Sequence, residues 1–308
     1  TDASIAWVMH ISSVLYGIEF RQSPVTTWHH EVQHYDVYDS RSGQFLAGLY
    51  LDLFPRDGKF SHAANFGVRS TSTLAQRTPY AVLVANLDRK GLESSELETL
   101  VHEFGHALHH MFARTRYVAH GGSGLEWDFV EAPSQMYEEW SRRKESLQLI
   151  SKFCTGCKTV DDDLVNRIES ARKLGIGMRY LDQHLLADYD VTLYGDKVVD
   201  PLQTWIRLDS ETVLGHTPGT LFPSSFEHII RGYAAGYYGY MWSEVLALDM
   251  LSAYGENIMN PRAGRRFRDI VLAHGGERPA ARMVEEFLGR KPSNAAFFAE
   301  ITGSRKAH

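Results

Sequence analysis

The sequence has few of the features that mark membrane-embedded, secreted or nucleic-acid-binding proteins. No run of 18 or more apolar residues occurs, which excludes a helix long enough to span a membrane. Cysteine occurs only twice, too rarely for a disulfide framework. With 32 basic and 38 acidic residues the formal net charge is −6, so the composition favours neither nucleic acid nor an anionic membrane surface as a partner.

The two cysteines, Cys154 and Cys157, form a single Cys-x-x-Cys motif. A structural zinc site of this kind usually needs a second pair, and no strand–helix pattern of thioredoxin type surrounds the motif. We expect two thiols in a surface loop, without a catalytic role. Residues 1–4 contain no Met and no basic region leading into an apolar core, so we also expect a chain cut from a longer protein and a cytoplasmic location.

Composition and patterning predict a single domain over residues 1–308. Apolar residues make up 44% and charged residues 23% of the chain, as in an ordinary globular protein, and no internal repeat or linker interrupts it. Helical periodicity dominates from about residue 135 to 195 and again in the C-terminal third, whereas strand patterns are confined to about 32–87. The predicted fold class is therefore mainly α with a small antiparallel β-sheet.

The first elements of this fold can be placed from their periodicity. Residues 5–20 predict a buried helix that ends near Gly17. Apolar alternation in residues 45–53 predicts a strand, and a polar turn joins it to a first strand at 32–38 as a β-hairpin. Residues 81–87 predict a further strand, so the sheet precedes the helix that carries the chemistry.

That helix contains the motif His102-Glu103-x-x-His106 within residues 100–111. On a helix, two histidines four residues apart share one face, where both can bind one Zn²⁺ at roughly 2.0–2.1 Å. Glu103 would lie beside the first ligand, close enough to take a proton from a water molecule on the metal. The motif therefore predicts a metal site on this helix.

The helix is predicted to span about 95–112. Ser95 and Glu98 have the spacing of a capping box, which predicts Ser95 as the N-cap. Glu98 also precedes His102 by one turn, a position from which a carboxylate can orient a ligand imidazole. The apolar residues form a neighbouring stripe, so we expect the metal pair to line the edge of a cleft rather than the middle of the core.

A catalytic zinc ion usually has three protein ligands and one open position. His110 lies one turn beyond His106, but three successive turns of a straight helix cannot converge on one ion, so we interpret His109 and His110 as rim or packing residues. Three carboxylates a short connection downstream remain as candidates for the third ligand: Glu126, Asp128 and Glu131. Their spacing does not choose among them.

Several other segments accompany the motif. The run Asp128-Phe-Val-Glu131-Ala-Pro-Ser-Gln follows it, and a Gly/Tyr-rich run lies at 232–240. Further segments are 35–39, 50–56, 62–64, 222–228 and 237–244. Together with the motif they resemble the M3 family of zinc peptidases, which includes thimet oligopeptidase, neurolysin, oligopeptidase A and dipeptidyl carboxypeptidase. The resemblance runs nearly end to end and covers the catalytic, C-terminal half of the family fold.

The resemblance implies a zincin-like catalytic domain with the small sheet beside the active site. The ligands it implies for one Zn²⁺ per chain are His102, His106 and Glu131. It implies Glu103 as the general base. Glu98 and Asp128 would lie behind the ligands and orient them, with Glu98 as the partner of His102.

The resemblance also implies catalytic residues in the Tyr/Gly loop, which we define as residues 228–240. His228, Tyr233 and Tyr240 match residues that face the scissile carbonyl, with Tyr237 beside them. A hydroxyl or imidazole donor aimed at the developing oxyanion can contribute about 3–4 kcal/mol. Glycines between the tyrosines would let the loop swing in when substrate binds.

Members of the family are longer, with two mainly helical halves around a deep cleft. We expect hydrolysis of oligopeptide substrates, and a second copy of the chain could cover the surface that the other half would occupy. Two alternatives stay open. One is a zinc-binding but inactive interaction domain, and the other is a dipeptidyl carboxypeptidase in which Arg231 pairs with the C-terminal carboxylate of the substrate.

Overall fold

The computed structural model describes residues 1–122, 124–230 and 232–303. The α-helices of these residues are α1 Asp2–Tyr16, α2 Ser94–Phe112, α3 Ala132–Glu138, α4 Lys144–Leu147, α5 Asp162–Lys173, α6 Ile176–Leu193, α7 Pro201–Ser210, α8 Gly239–Leu251, α9 Pro261–Ile270, α10 Ala280–Leu288 and α11 Ala295–Ile301. The strands are β1 Ile18–Gln22, β2 Gln33–Asp39, β3 Phe45–Asp52, β4 Ala64–Arg69 and β5 Tyr80–Val84. Within the described ranges, no helix combines the length and apolar character needed to cross a membrane.

The fold is mainly helical, as predicted, but its sheet is mixed rather than antiparallel. The strand order is β1-β2-β3-β5-β4, and β5 runs parallel to β3 while the other neighbours are antiparallel. This arises because the chain passes from β3 to the edge strand β4 before it returns between them as β5. Strand β4 escapes prediction because most of its side chains are exposed, so it lacks apolar alternation.

The first helix ends where its glycine predicts. Helix α1 stops at Tyr16, and Gly17 caps it in the left-handed conformation with φ of +65°. Residues 18–20, which the predicted helix included, instead begin strand β1 and pair with β2. The change of direction at Gly17 therefore adds a strand to the sheet that the sequence did not reveal.

The N-cap of helix α2 lies two residues before the predicted one, Ser95. Glu93 is the N-cap, and a capping box joins it to Glu96, whose side chain accepts a hydrogen bond from the Glu93 backbone at 2.9 Å. Ser95 and Glu98 therefore lie inside the first turns and do not form the predicted capping box. Because Glu96 and not Glu98 takes part in the capping box, the Glu98 carboxylate is available to a different partner.

The buried apolar residues that the structure describes form a main core and two further clusters, of which the one beside the Tyr/Gly loop is called the smaller cluster below. The main core gathers side chains from α1, the sheet, α2, α3, α9 and α10, including Trp7, Phe104 and Trp140. The smaller cluster joins α6 and α7 to the segment 226–237, and contains Tyr189, Trp205, Phe226 and Tyr237. Helix α2 thus belongs to the main core, whereas Ile229 and Tyr237 of the Tyr/Gly loop belong to the smaller cluster.

The two cysteines are joined as a disulfide, Cys154–Cys157, which corrects the expectation of two thiols. Their Cα atoms lie 5.5 Å apart, within the range that a disulfide needs. The pair lies in the connection between α4 and α5, where Cys157 is exposed and Cys154 is half-buried. Its position in a surface connection agrees with the prediction.

Candidate metal centre

Helix α2 and the residue just before α3 bring three ligand atoms together. His102 and His106 lie one turn apart, with their Nε2 atoms separated by 3.2 Å. The Oε2 atom of Glu131 lies 3.0 Å from His106 Nε2 and 3.3 Å from His102 Nε2. We name these three residues the ligand cluster. Among the candidates that spacing left open, Glu131 is the carboxylate that meets the two histidines.

Close helix packing places Glu131 beside the histidines. A Cβ atom on Gly105 of α2 would lie only 2.7 Å from the Ser134 Cα of α3, so only glycine permits this approach of the two helices. Ser134 then donates its hydroxyl hydrogen to the Glu131 backbone oxygen at 2.8 Å and lies 3.2 Å from Oε2. The packing therefore fixes both the backbone and the carboxylate of the third ligand.

The spacing of the ligand cluster fits a single small metal ion. Bonds of about 2.0 Å from a tetrahedral ion place its ligand atoms roughly 3.3 Å apart. The three observed separations are 3.2, 3.0 and 3.3 Å, which match one face of such a tetrahedron. Two imidazoles and one carboxylate are a donor set that zinc accepts, with a fourth position left for a reactant.

One other group with metal-ligand chemistry occurs in the described residues, at His29, His30 and Glu31. Both carboxylate oxygens of Glu31 accept hydrogen bonds from Arg89, each at 2.9 Å. A metal ion there would have to displace a bidentate ion pair, so this group is the weaker candidate. The ligand cluster has no such competitor for its carboxylate among the described contacts.

Burial and the two imidazoles tune the carboxylates of the site in opposite directions. Burial raises the pKa of Glu131, but the neighbouring His106 and hydrogen bonds from both imidazoles outweigh it and hold the pKa well below its usual range. Burial raises the pKa of Glu103, and the imidazoles oppose that rise only in part. Glu131 is therefore suited to remain an anionic ligand, while Glu103 is suited to accept and return a proton.

Glu138, rather than Glu98, is the carboxylate partner of His102. Its Oε1 atom lies 2.7 Å from His102 Nδ1, so the imidazole can present Nε2 to the ligand cluster. Glu98 instead pairs with Arg142 at 2.7 Å, which corrects its predicted role. Arg142 also binds Glu138 at 2.7 Å and is almost fully buried. One cation therefore draws both carboxylates, and only Glu138 reaches the imidazole.

Asp128 also differs from its predicted place behind a ligand. Its backbone oxygen accepts a hydrogen bond from Ser243 at 2.9 Å, and its side chain interacts with the Tyr238 hydroxyl. Both contacts join the segment before α3 to the beginning and first turns of α8. Asp128 therefore fixes the approach to Glu131 through the backbone and does not contact the imidazoles in the described interactions.

The Tyr/Gly loop brings its aromatic residues over the ligand cluster. Tyr233 donates its hydroxyl hydrogen to the Oε1 atom of Glu131 at 2.6 Å. Tyr240 stacks on Tyr233 with ring centroids 5.1 Å apart, and the His228 ring lies 5.9 and 6.2 Å from those two rings. The structure thus assembles the predicted residues, but the Tyr233 hydroxyl binds a ligand side chain instead of facing an open position.

The remaining tyrosine of the set, Tyr237, has a structural environment. Its ring is buried against Phe226 at 5.0 Å within the smaller cluster, and its hydroxyl interacts with Gln183 of α6. Burial and the Glu131 carboxylate raise the pKa of both Tyr233 and Tyr240, so both hydroxyls stay protonated and able to donate. Tyr237 therefore supports the loop, while the other two tyrosines face the site.

The other histidines of α2 are packing residues. Both His109 and His110 are buried, so neither lies on the rim that the sequence also allowed. Burial lowers the pKa of His109 to about 3, which keeps that imidazole neutral. A Cβ atom on Gly67 of β4 would lie 2.4 Å from His110, so glycine lets this edge strand pack directly on α2. Arg231 lies outside the described residues.

Sequence reasoning missed Glu138 and Arg142. Glu138 follows Glu131 by seven residues, which corresponds to two helical turns, and this spacing could have placed both carboxylates on the same side. The pairing of Arg142 with Glu138 also has helical spacing, four residues apart, but its contact with Glu98 could not have been found in this way, because it joins the segment after α3 to α2 through tertiary packing. The missed residues are thus the ones that support the ligands from behind.

Two helices that carry a His–His–Glu ligand cluster beside a small mixed sheet define a zincin-like peptidase fold. The chain belongs to peptidase family M3, whose family profile matches residues 3–303. It is 34% identical to saccharolysin of Saccharomyces cerevisiae over 97% of this chain and 46% of that protein. It is 33% identical to the thimet-like oligopeptidase of Dictyostelium discoideum over 97% of this chain and 47% of that protein.

The chain therefore spans about half the length of these relatives. Among solved structures, a carboxypeptidase of Pyrococcus furiosus superposes with a TM-score of 0.56 at 14% identity, over 83% of this chain and 54% of that chain. At that identity the similarity concerns the fold alone. The family resemblance and the fold class predicted from the sequence are confirmed.

Proposed function

We propose that the chain is a zinc-dependent peptidase that hydrolyses peptide bonds of oligopeptides. The observation that carries the proposal is the triangle of ligand atoms, with separations of 3.0, 3.2 and 3.3 Å. His102, His106 and Glu131 would hold one zinc ion at this face. The relatives named as oligopeptidases support a peptide as the substrate.

Glu103 is the general base of the proposed reaction. When bound, zinc would polarise the substrate carbonyl and lower the pKa of a water molecule in the site. The Glu103 carboxylate follows His102 directly and is buried, and burial raises its pKa, which makes it a stronger proton acceptor than an exposed carboxylate. The same carboxyl group would then deliver the proton to the leaving amine.

The Tyr/Gly loop would stabilise the negative charge that develops on the carbonyl oxygen. Tyr240 and His228 are the proposed donors, because both lie close enough to Glu131 to interact with its charge, and the raised pKa of Tyr240 keeps its hydroxyl protonated. Tyr233 has a different immediate role, since its hydroxyl holds the second oxygen of Glu131. This contact leaves Oε2 as the Glu131 oxygen beside the two imidazoles, and it would have to break before Tyr233 could donate to substrate.

Strand β4 is the proposed docking site for the peptide backbone. In the described residues it lies at the edge of the sheet, pairs with β5 on one side only, and packs directly on α2. An extended peptide can add to such an edge through main-chain hydrogen bonds. The backbone of Asn65 in β4 also interacts with the Glu103 carboxylate, so a peptide paired there would run past the proposed base.

The test is hydrolysis of a quenched fluorescent oligopeptide by the zinc-loaded chain and by Glu103→Gln. The substitution removes the base but keeps the shape of the side chain and all three ligands. We expect kcat to fall by roughly 10²–10⁴-fold, while zinc content is unchanged. Equal rates of the two zinc-loaded proteins, or no hydrolysis by either, would contradict the proposed function.

Several expectations stay predictions. These are the cytoplasmic location, the absence of nucleic-acid and membrane partners, the single-domain organisation, and the covering of an open surface by a second copy. Release of dipeptides through Arg231 is likewise untested, because that residue lies outside the described ranges. Mapping the products of a peptide with a free and an amidated C-terminus would separate dipeptide release from internal cleavage.

A further inference from the structure

Helix α6 contacts the Tyr/Gly loop at several points. The Asp190 carboxylate accepts hydrogen bonds from the backbone N–H groups of Ala235 and Tyr237, through different oxygens and each at 2.9 Å. Tyr194, the residue that caps α6, donates its hydroxyl hydrogen to the Ile229 backbone oxygen at 2.6 Å. The loop is thus bound to one helix near its beginning and again near its end.

Asp190 is unusual because its carboxylate is fully buried. Removing an ionised carboxylate from water is costly unless hydrogen bonds replace those of the solvent. The two loop N–H groups supply such bonds, which are stronger for a charged acceptor than for a neutral one. The buried Asp190 carboxylate keeps these two hydrogen-bond donors only while the loop has this conformation.

The loop backbone also needs outside support. Ala235 has φ of +51°, a left-handed conformation that residues with a Cβ atom rarely adopt. Its N–H group is one of the two that Asp190 accepts. The hydrogen bond therefore acts at the residue whose conformation is least favourable on its own.

Between the two attachment points, the loop carries the residue that reaches the ligand cluster. Tyr233 follows Gly232, which has φ of +126°, and its hydroxyl binds Glu131. The contacts with α6 are at Ile229, Ala235 and Tyr237, on both sides of Tyr233. Movement of the whole loop would break these contacts, whereas a change at 232–234 would not.

We propose that Asp190, assisted by Tyr194, is a positioning residue that holds the Tyr/Gly loop over the metal centre. The inference rests on the proposed function for its catalytic consequence, but not for the geometry of the attachment. It narrows the expectation that glycines between the tyrosines let the loop swing in when substrate binds. Substrate-dependent movement is confined to the segment around Gly232 and Tyr233, and the backbone next to Tyr237 and Tyr240 stays fixed to α6.

The test begins with hydrogen exchange of the complete chain, which does not depend on activity. Asp190→Asn replaces one acceptor oxygen by an NH₂ group that cannot accept from an N–H. We expect amide exchange in the segment 234–238 to become faster by roughly tenfold or more. Asp188→Asn is the matched control, because it makes the same change on an exposed residue of the same helix and should leave that exchange unaltered.

Kinetics and zinc affinity then separate positioning from general damage. Asp190→Asn is expected to lower kcat about tenfold or more. Zinc affinity should fall by no more than the roughly threefold to tenfold expected if the Tyr233 contact with Glu131 breaks, since helix α2, which carries both ligand histidines, packs in the main core. Parent-like exchange and kcat in Asp190→Asn would overturn the proposal. If the parent chain hydrolyses no peptide, the proposed function fails, and exchange alone still decides whether Asp190 holds the loop.

A second variant covers the case in which Asp190→Asn does not fold. Tyr194→Phe removes only the hydroxyl of an exposed ring and so leaves packing intact. We expect a fall in kcat of roughly threefold to tenfold with unchanged zinc affinity and thermal stability. If Asp190→Asn is unfolded and Tyr194→Phe has parent-like kcat and exchange, the proposal is overturned.

Discussion

The ligand cluster and the Tyr/Gly loop face each other, but they are held by different kinds of interaction. The ligand side chains stand on or beside helices of the main core, and Glu138 and Arg142 support His102 from behind. The loop has little regular structure of its own, and backbone hydrogen bonds to α6 hold it. Side-chain packing therefore positions the ligand cluster, whereas hydrogen bonds from the loop backbone to α6 position the Tyr/Gly loop on the opposite side.

This difference indicates how the two regions should respond to substitution. Changes behind the ligand cluster act on metal affinity, because they alter the orientation of an imidazole that is otherwise fixed by its helix. Changes in the loop act on the stabilisation of charge during the reaction, because its residues reach the site without holding the metal. Among the described hydrogen bonds, the one from Tyr233 to Glu131 joins a loop side chain directly to a ligand.

The largest expected effect is on kcat and comes from the loop. Tyr240→Phe removes a proposed donor to the carbonyl oxygen, so we expect kcat to fall about 10²–10³-fold with zinc affinity unchanged. Steady-state kinetics with a quenched peptide measure kcat, and competition with a chelator measures the zinc affinity. The matched control is Tyr238→Phe, whose hydroxyl interacts with Asp128 instead of facing the site. If Tyr240→Phe changed the zinc affinity but not kcat, the loop would act on metal binding and not on charge stabilisation.

The next effect is on zinc affinity and comes from the helical side. Glu138→Gln weakens the hydrogen bond to His102 Nδ1, so we expect zinc to bind about 10–100-fold less tightly. Glu98→Gln serves as the control, because Glu98 contacts the same Arg142 without reaching His102. Competition with a chromogenic chelator measures both variants. A larger loss for Glu98→Gln than for Glu138→Gln would restore the role that the sequence predicted for Glu98.

The smallest effect should appear where the two regions meet. Tyr233→Phe removes the hydrogen bond to Glu131 Oε1, so we expect a loss of zinc affinity of roughly threefold to tenfold. Tyr237→Phe lies in the same loop and should not alter zinc affinity, because its hydroxyl points to α6. Isothermal titration of the metal-free proteins compares the two. Equal affinities for Tyr233→Phe and the parent chain would show that the regions are energetically independent.

The sequence predicted the parts of the site that depend on local spacing. His102 and His106 could be paired from helical periodicity, and Gly17 marked the end of α1. The choice of Glu131 among three carboxylates needed the resemblance to the family. The prediction of helix α2 was correct, although its cap lies at Glu93 because the chain supplies two overlapping capping patterns.

The parts that the sequence did not predict depend on contacts between distant segments. Glu98 and Glu138 are both suited to orient an imidazole and both pair with Arg142, and only the packing of α3 against α2 brings Glu138 to His102. The mixed sheet was not predicted because its edge strand β4 has mostly exposed side chains, a pattern that does not differ from that of a loop. Asp190 gave no local signal, since its partners are backbone groups about 45 residues away.

Metal analysis after equilibrium dialysis measures how many zinc ions each chain retains, and so tests whether His102, His106 and Glu131 hold one zinc ion. The parent chain should retain one zinc per chain, and His106→Gln should retain none at a zinc concentration that saturates the parent. His30→Gln alters the other His–His–Glu group and should keep one zinc per chain. Retention of zinc by His106→Gln together with its loss from His30→Gln would mean that the zinc ion binds at the other His–His–Glu group and not at the ligand cluster.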